Sequence, residues 1–181
     1  SPEGRGVPFA IAARIIADAA RGLHAAHELR GPDGLPANVV HRDVSPSNVV
    51  VLYDGVAKVL DFGIAKARVR IAHKTRDGTF KGNFGYVSPE NYTKSPVDRR
   101  ADVYSLGVLL WEATVGQRLF QGTFSESMAA VLRGAPPPSQ TLEGYPPELE
   151  QIVMRALALA PDGRYPTAEA MARDLERWIA T

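Results

Sequence analysis

A chain of 181 residues, 45% of them hydrophobic, suits one domain around one core. Its 21 Lys and Arg against 20 Asp and Glu leave a formal net charge of +1, which argues against a nucleic-acid partner. The absence of cysteine excludes disulfides and thiolate metal sites, and no apolar run reaches the roughly 18 residues needed to span a bilayer.

No secretory leader is visible, and the expected setting is cytoplasmic, with no direct membrane contact from this segment. The chain opens at Ser1, with Pro2, Gly4, Gly6 and Pro8 close behind. That start reads as a cut inside a longer protein, which is free to carry a membrane anchor of its own.

Ile11, Ile15, Ala19, Leu23 and Ala26 recur at spacings of three and four and predict a helix from about Phe9 to Leu29. Gly31 to Gly34 form a loop, and Val39-Val40 is a short apolar run. Val49 to Leu52 and Val56 to Leu60 are β-rich and flank Asp54-Gly55, a hairpin turn signal. Residues 64 to 101 show little periodicity and read as a long loop.

Asp102 opens an apolar helix through Leu106, Leu109, Leu110 and Trp111, ending near Gly116. Ser125 to Arg133 is a short helix, and Pro136 to Pro138 are a stiff connector. Glu148 to Ala158 carries Leu149, Ile152, Val153 and Leu157 on one face. Thr167 opens the last helix, with Glu169 in its first turn.

The chemistry concentrates in His41-Arg42-Asp43-Val44-Ser45-Pro46-Ser47-Asn48 and, further on, Asp61-Phe62-Gly63. A carboxylate and a carboxamide, followed by a second carboxylate on a tight turn, can position a hydroxyl nucleophile and hold Mg2+ on a nucleoside triphosphate. Asp43 is the candidate base, and Asn48 and Asp61 are the candidate metal ligands. Each alone could be an ordinary turn residue. Their combination makes that reading the weaker one.

These motifs resemble the catalytic and metal loops of protein kinases. The element order resembles the large C-terminal lobe of that family, mainly helical with a small β-hairpin beside the catalytic loop, over residues 1–181. The combination is similar to bacterial, eukaryotic-like serine/threonine kinases. The resemblance implies ATP and Mg2+ as cofactors and a protein substrate.

It further implies that Val50 packs beneath adenine, and that Asp102 holds the catalytic-loop backbone. His41 and Phe62 join the hydrophobic stack between the lobes. Gly82 to Glu90 is similar to the substrate-side end of an activation segment, with Ser88-Pro89-Glu90 where Ala-Pro-Glu is usual. A buried Glu90–Arg164 ion pair is then expected. Arg42 before the catalytic Asp goes with activation-loop phosphorylation, for which Thr75 and Thr79 are the candidate acceptors.

Two departures stand out. Ser45 replaces the Lys usual two residues after the catalytic Asp, and Asn83 replaces the usual Thr or Ser after Gly82. No glycine-rich loop or lysine-bearing strand precedes His41, so the small N-terminal lobe is expected as a partner outside this chain, and the chain alone is expected to be inactive. A pseudokinase scaffold is the alternative, favoured by Ser45. A small-molecule kinase is a second rival, opposed by Ser88-Pro89-Glu90 and Arg164, which resemble a protein-substrate platform.

Overall fold

A computed structural model describes residues 6–62, 84–93 and 95–181. Gly63, Thr75, Thr79, Gly82 and Asn83 lie outside the described residues. The main described elements are six α-helices and one two-stranded sheet. In chain order they are α1 (Phe9–His27), β1 (Val49–Val51), β2 (Ala57–Val59), α2 (Pro89–Thr93), α3 (Arg100–Val115), α4 (Phe124–Arg133), α5 (Pro147–Ala156) and α6 (Ala168–Ile179). The mainly helical fold with a small hairpin agrees with the sequence expectation. No helix among the described residues is long and apolar enough to cross a membrane.

Helix α3 is the axis of the molecule. Every residue from Ala101 to Trp111 is buried, because α1, α5 and α6 all pack against it. A helix that is apolar all round belongs in an interior. Two of its polar side chains find partners there: Ser105 Oγ donates to Tyr86 O at 2.7 Å, and Trp111 Nε1 donates to Pro136 O at 3.0 Å. Gly107 permits the close approach of α5, since a Cβ there would lie 2.9 Å from Ala156 Cβ. Gly116 ends the helix in the left-handed region at φ 75°.

Three details differ from the sequence expectation. The buried face of α1 is Ala12, Ala13, Ile16, Ala17, Ala19, Ala20, Leu23 and His27, while Ile11 is 54% exposed. Small side chains make this contact because they let α3 and α6 come close, so the larger isoleucine does not define the face. Helix α3 begins at Arg100, which places Asp102 within its first turn. Helix α2 lies inside the stretch expected to be loop, and its five residues are too few for periodicity to register.

Helix caps follow local chemistry. Thr123 and Glu126 form a reciprocal capping box at the start of α4, one residue ahead of the expected Ser125. Thr167 accepts a hydrogen bond from Ala170 N at the start of α6. The hairpin pairs antiparallel with Val50 opposite Lys58, and Gly55 takes φ 86° in its turn. It is fastened to α1 where Ala57 N–H donates to Asp18 Oδ2 at 3.1 Å.

Candidate active site

The hairpin carries one motif at each of its ends. Asn48 leads into β1 and Leu60 follows β2, and Leu60 N–H donates to Asn48 O at 2.8 Å. That bond brings the Asp43–Asn48 loop next to Asp61. Neither neighbour in sequence nor helix periodicity does this; strand pairing does.

Asp102 reaches out of α3 to grip the loop. Its Oδ1 accepts Arg42 N–H at 2.9 Å, and its Oδ2 accepts His41 N–H at 2.8 Å. The same Oδ2 accepts from His27 Nε2 at 2.7 Å, with both side chains wholly buried. The carboxylate therefore caps nothing in its own helix, contrary to the simple N-cap reading. Arg42 is held at φ 64°, and Asp61 at φ 53°. Left-handed backbone is uncommon for such residues and costs free energy, so neighbouring contacts must fix it.

His41 is oriented from both ring nitrogens. Its Nε2 donates to Leu60 O at 2.9 Å, and its Nδ1 accepts from Asp43 N–H at 3.2 Å. Those two partners select the Nε2–H tautomer. The ring meets Phe62 edge-on, with centroids 4.8 Å apart. His41 thus ties the first motif to the second, and Phe62 packs against the main core.

Asp43 and Asn48 are in direct contact. Asn48 Nδ2 donates to Asp43 O at 2.7 Å and to Asp43 Oδ2 at 3.1 Å. Both acceptors are oxygens, which fixes the amide orientation and leaves Asn48 Oδ1 as an acceptor. A carboxamide oxygen on Asn48 and an exposed carboxylate on Asp61, the residue after Leu60, are donor types that suit a hard cation such as Mg2+. Ser45 is buried, its Oγ 3.0 Å from Ser47 Oγ. Val50 is half-buried on β1.

One buried ion pair and one tyrosine hydrogen bond secure the segment after residue 83. Glu90 and Arg164 meet in a buried bidentate pair, which draws α2 onto the turn before α6. Burial works to raise the Glu90 carboxyl. It is outweighed by the Arg164 guanidinium, the residue's own backbone N–H and the Ser88 side chain, so the group sits below its ordinary range. Tyr86 OH donates to Glu112 Oε2 at 2.5 Å, and Arg118 packs over the Tyr86 ring and contacts its hydroxyl. Burial and then Glu112 push the Tyr86 phenol upward.

The structure therefore brings together His41, Asp43, Asn48, Leu60 and Phe62, with Asp102 behind them, and separately Glu90 with Arg164. Sequence reasoning passed over His27, Tyr86 and Glu112. The only signal for His27 was a histidine four residues after Leu23 on the buried face of α1, a position where an apolar residue would fit the pattern as well.

A catalytic-type loop gripped from a buried central helix, beside a hairpin and an anchored segment, defines a kinase-like domain. The protein kinase domain model matches residues 5–175, and the chain belongs to that family. It is 47% identical over 176 residues to the tyrosine-protein kinase MasK of Myxococcus xanthus, covering 96% of this chain and 27% of that protein. It is 37% identical over 169 residues to the serine/threonine-protein kinase PknB of Mycobacterium tuberculosis H37Rv, covering 92% of this chain and 26% of that one. The chain thus spans about a quarter of the length of these relatives. The PknI kinase domain of M. tuberculosis superposes with a TM-score of 0.67 at 23% identity, covering 96% of this chain and 56% of that one, a likeness of fold.

Proposed function

We propose that this chain is the large C-terminal lobe of a bacterial protein serine/threonine kinase, transferring the γ-phosphate of Mg-ATP to a protein hydroxyl in the cytoplasm. The observation that carries the reading is Asn48 Nδ2 bound to the Asp43 carboxylate at 3.1 Å, inside a loop whose backbone is fixed by Asp102. Phosphoryl transfer needs positioning more than covalent help, and this arrangement supplies positioning.

Asp43 orients the acceptor hydroxyl and accepts its proton. Asn48 holds Asp43 in place and keeps its own Oδ1 for the metal; Asp61 offers the carboxylate. Mg2+ bound by these two groups would neutralise charge on the triphosphate. Ser45 brings no positive charge to the position where the family carries Lys, which at the scale of a charged hydrogen bond is worth about 1–3 kcal/mol. Arg42 stands ready for a phosphate on Thr75 or Thr79. Val50 would pack beneath the adenine.

A second lobe completes the site. Val51, Leu52, Val56 and Leu60 are exposed apolar residues around the hairpin. Their exposure supports a small N-terminal lobe packing there, bringing the phosphate lid. The 181-residue chain alone should then show little or no transfer.

Serine or threonine as acceptor is the first reading. Tyrosine is a second, favoured by the 47% identity to a relative named a tyrosine-protein kinase. The test is transfer from γ-labelled Mg-ATP by the full-length protein, followed by phosphoamino-acid analysis. Phosphoserine or phosphothreonine supports the first reading and phosphotyrosine the second. Nucleotide binding without transfer would support the scaffold alternative, and robust turnover by the isolated chain would overturn the need for a second lobe.

A further inference from the structure

We propose that Arg118 is a specificity-determining residue, selecting acceptor proteins that carry a carboxylate about four or five residues from the phosphorylated hydroxyl. The proposal rests on the kinase reading above and names the substrate class for it.

Glu112, near the end of α3, has both carboxylate oxygens committed to inward partners. Its Oε1 accepts Leu119 N–H at 2.9 Å, and its Oε2 accepts Tyr86 OH at 2.5 Å. Arg118 lies over this pair on the solvent side. Its Nη1 donates to the Tyr86 hydroxyl and approaches Glu112 Oε2 at 3.5 Å, and its Cζ is 5.3 Å from the Tyr86 ring centroid. The Glu112 side chain is 12% exposed and that of Arg118 58%. The negative charge thus lies inside and the positive charge outside, so the face turned to a partner is cationic.

The guanidinium keeps one edge open. Nε and Nη2 make no hydrogen bond among the described residues. Their N–H groups point the same way along the planar fork, the edge that takes a carboxylate in two parallel bonds. The ring and hydroxyl of Tyr86 hold that plane still, so less rotamer freedom is lost when an anion docks. A cleft of about 340 Å³ opens beside it, and Gly6, Val7, Gln117 and Arg118 are among its walls. Of the described residues that line it, only Glu112 and Arg118 carry charge. Glu112 is already matched, so an incoming carboxylate meets the cation and no free acid.

The central helix gives the distance to the chemistry. Asp102 grips the backbone next to Asp43, and Glu112 stands ten positions further along α3. At the rise of an α-helix that is about 15 Å. Tyr86 bridges the interval: its carbonyl accepts from Ser105 Oγ at 2.7 Å, and its hydroxyl reaches Glu112. An extended acceptor chain advances roughly 3.3 Å per residue, so a side chain about four or five residues from the hydroxyl at Asp43 comes level with Arg118.

The experiment is a positional scan with the full-length protein, γ-labelled Mg-ATP and peptides that hold one Ser, Thr or Tyr acceptor. Glu, Gln or Lys is walked through each position on either side of it. At the distance given above, wild type should prefer Glu over Gln by about fivefold in kcat/KM, the upper scale of an exposed ion pair, and should disfavour Lys. Arg118→Gln should remove the preference, and Arg118→Glu should turn it toward Lys. Ratios between peptides within one variant cancel any general loss of activity, which is all that a merely structural arginine would cause. A Glu preference absent from wild type, confined to the residue next to the acceptor, or kept in Arg118→Gln would overturn the proposal. Arg118→Glu sets a second carboxylate against Glu112; should it fail to fold, Arg118→Gln decides alone. Wild-type protein that transfers phosphate to no peptide would count against the kinase reading, and binding then judges Arg118. A fluorescein-labelled Glu-Ala repeat peptide should bind wild type more tightly than Arg118→Gln, and equal affinity would overturn the proposal.

Discussion

Glu90 and Arg164 meet through two hydrogen bonds of 2.8 Å each, and the guanidinium has no idle donor. Its Nε donates to Ala158 O, its remaining Nη1–H to Arg100 O and its remaining Nη2–H to Leu159 O. The planar fork of five N–H groups is satisfied by one carboxylate and three carbonyls, and the cation lies 5.0 Å from the Tyr104 ring centroid. One side chain therefore joins α2, the start of α3 and the turn before α6.

Arg164→Ala should be among the most damaging single changes, because it strands a buried carboxylate and three carbonyls. Losing one partner of a buried pair costs about 3–5 kcal/mol. Thermal melting should show the drop, and hydrogen exchange in residues 84–93 should quicken. Arg164→Lys should recover only a small part, since an ammonium cannot reproduce the fork. Unchanged exchange in that segment would show that the pair does not anchor it.

Acid should weaken the same anchor. The Glu90 carboxyl titrates lower in the folded protein than in the unfolded chain, where a glutamate has a pKa of about 4.3. Its stabilisation is present above that value and is lost as pH falls through the folded pKa. The melting-temperature gap between wild type and Glu90→Gln should narrow as pH drops below about 4. Parallel curves from neutral pH into this range would contradict the assignment.

Gly107 offers a test of the core. A methyl at this position meets Ala156 Cβ at 2.9 Å and Leu157 Cδ2 at 3.1 Å. Gly107→Ala gains helix propensity but pushes α3 from α5, and overpacking of this kind costs about 1–3 kcal/mol. A lower urea midpoint with an unchanged slope is expected. A raised midpoint would mean that α5 yields at little cost.

Thr75 and Thr79 carry a regulatory prediction. Arg42 immediately precedes Asp43, and a phosphate on either threonine would add about −1.5 to −2 charges for it to pair with. The double change Thr75→Ala with Thr79→Ala should lower activity of the full-length protein, and phosphosite mapping should find phosphate on at least one of them. Full activity with no phosphate on either residue would assign Arg42 another task.

The legible part of this molecule was the part where chemistry dictates residue type. Asp43, Asn48 and Asp61 stand out as letters, because the proposed metal and nucleophile chemistry calls for a carboxylate, a carboxamide and a second carboxylate in this order. Helix α6 was equally readable, since Thr167 and the following apolar positions are local signals. Asp102 was read from the resemblance as holding the loop. The residue reading made it a helix opener, because its true partners lie 60, 61 and 75 positions away in the chain. His27 was invisible, because one histidine on an alanine-rich face carries no spacing rule. Ile11 misled, because periodicity ranks large apolar residues above the alanines that close helix packing prefers.

The most direct test of the account is Asp43→Asn in the full-length protein, followed by single-turnover transfer from γ-labelled Mg-ATP. Asparagine keeps the shape and the contact with Asn48 but cannot accept a proton, so circular dichroism and melting should stay near wild type. General-base contributions run to about 10²–10⁴-fold, and the transfer rate should fall by at least the lower figure. A folded Asp43→Asn protein that transfers phosphate at the wild-type rate would contradict the central claim.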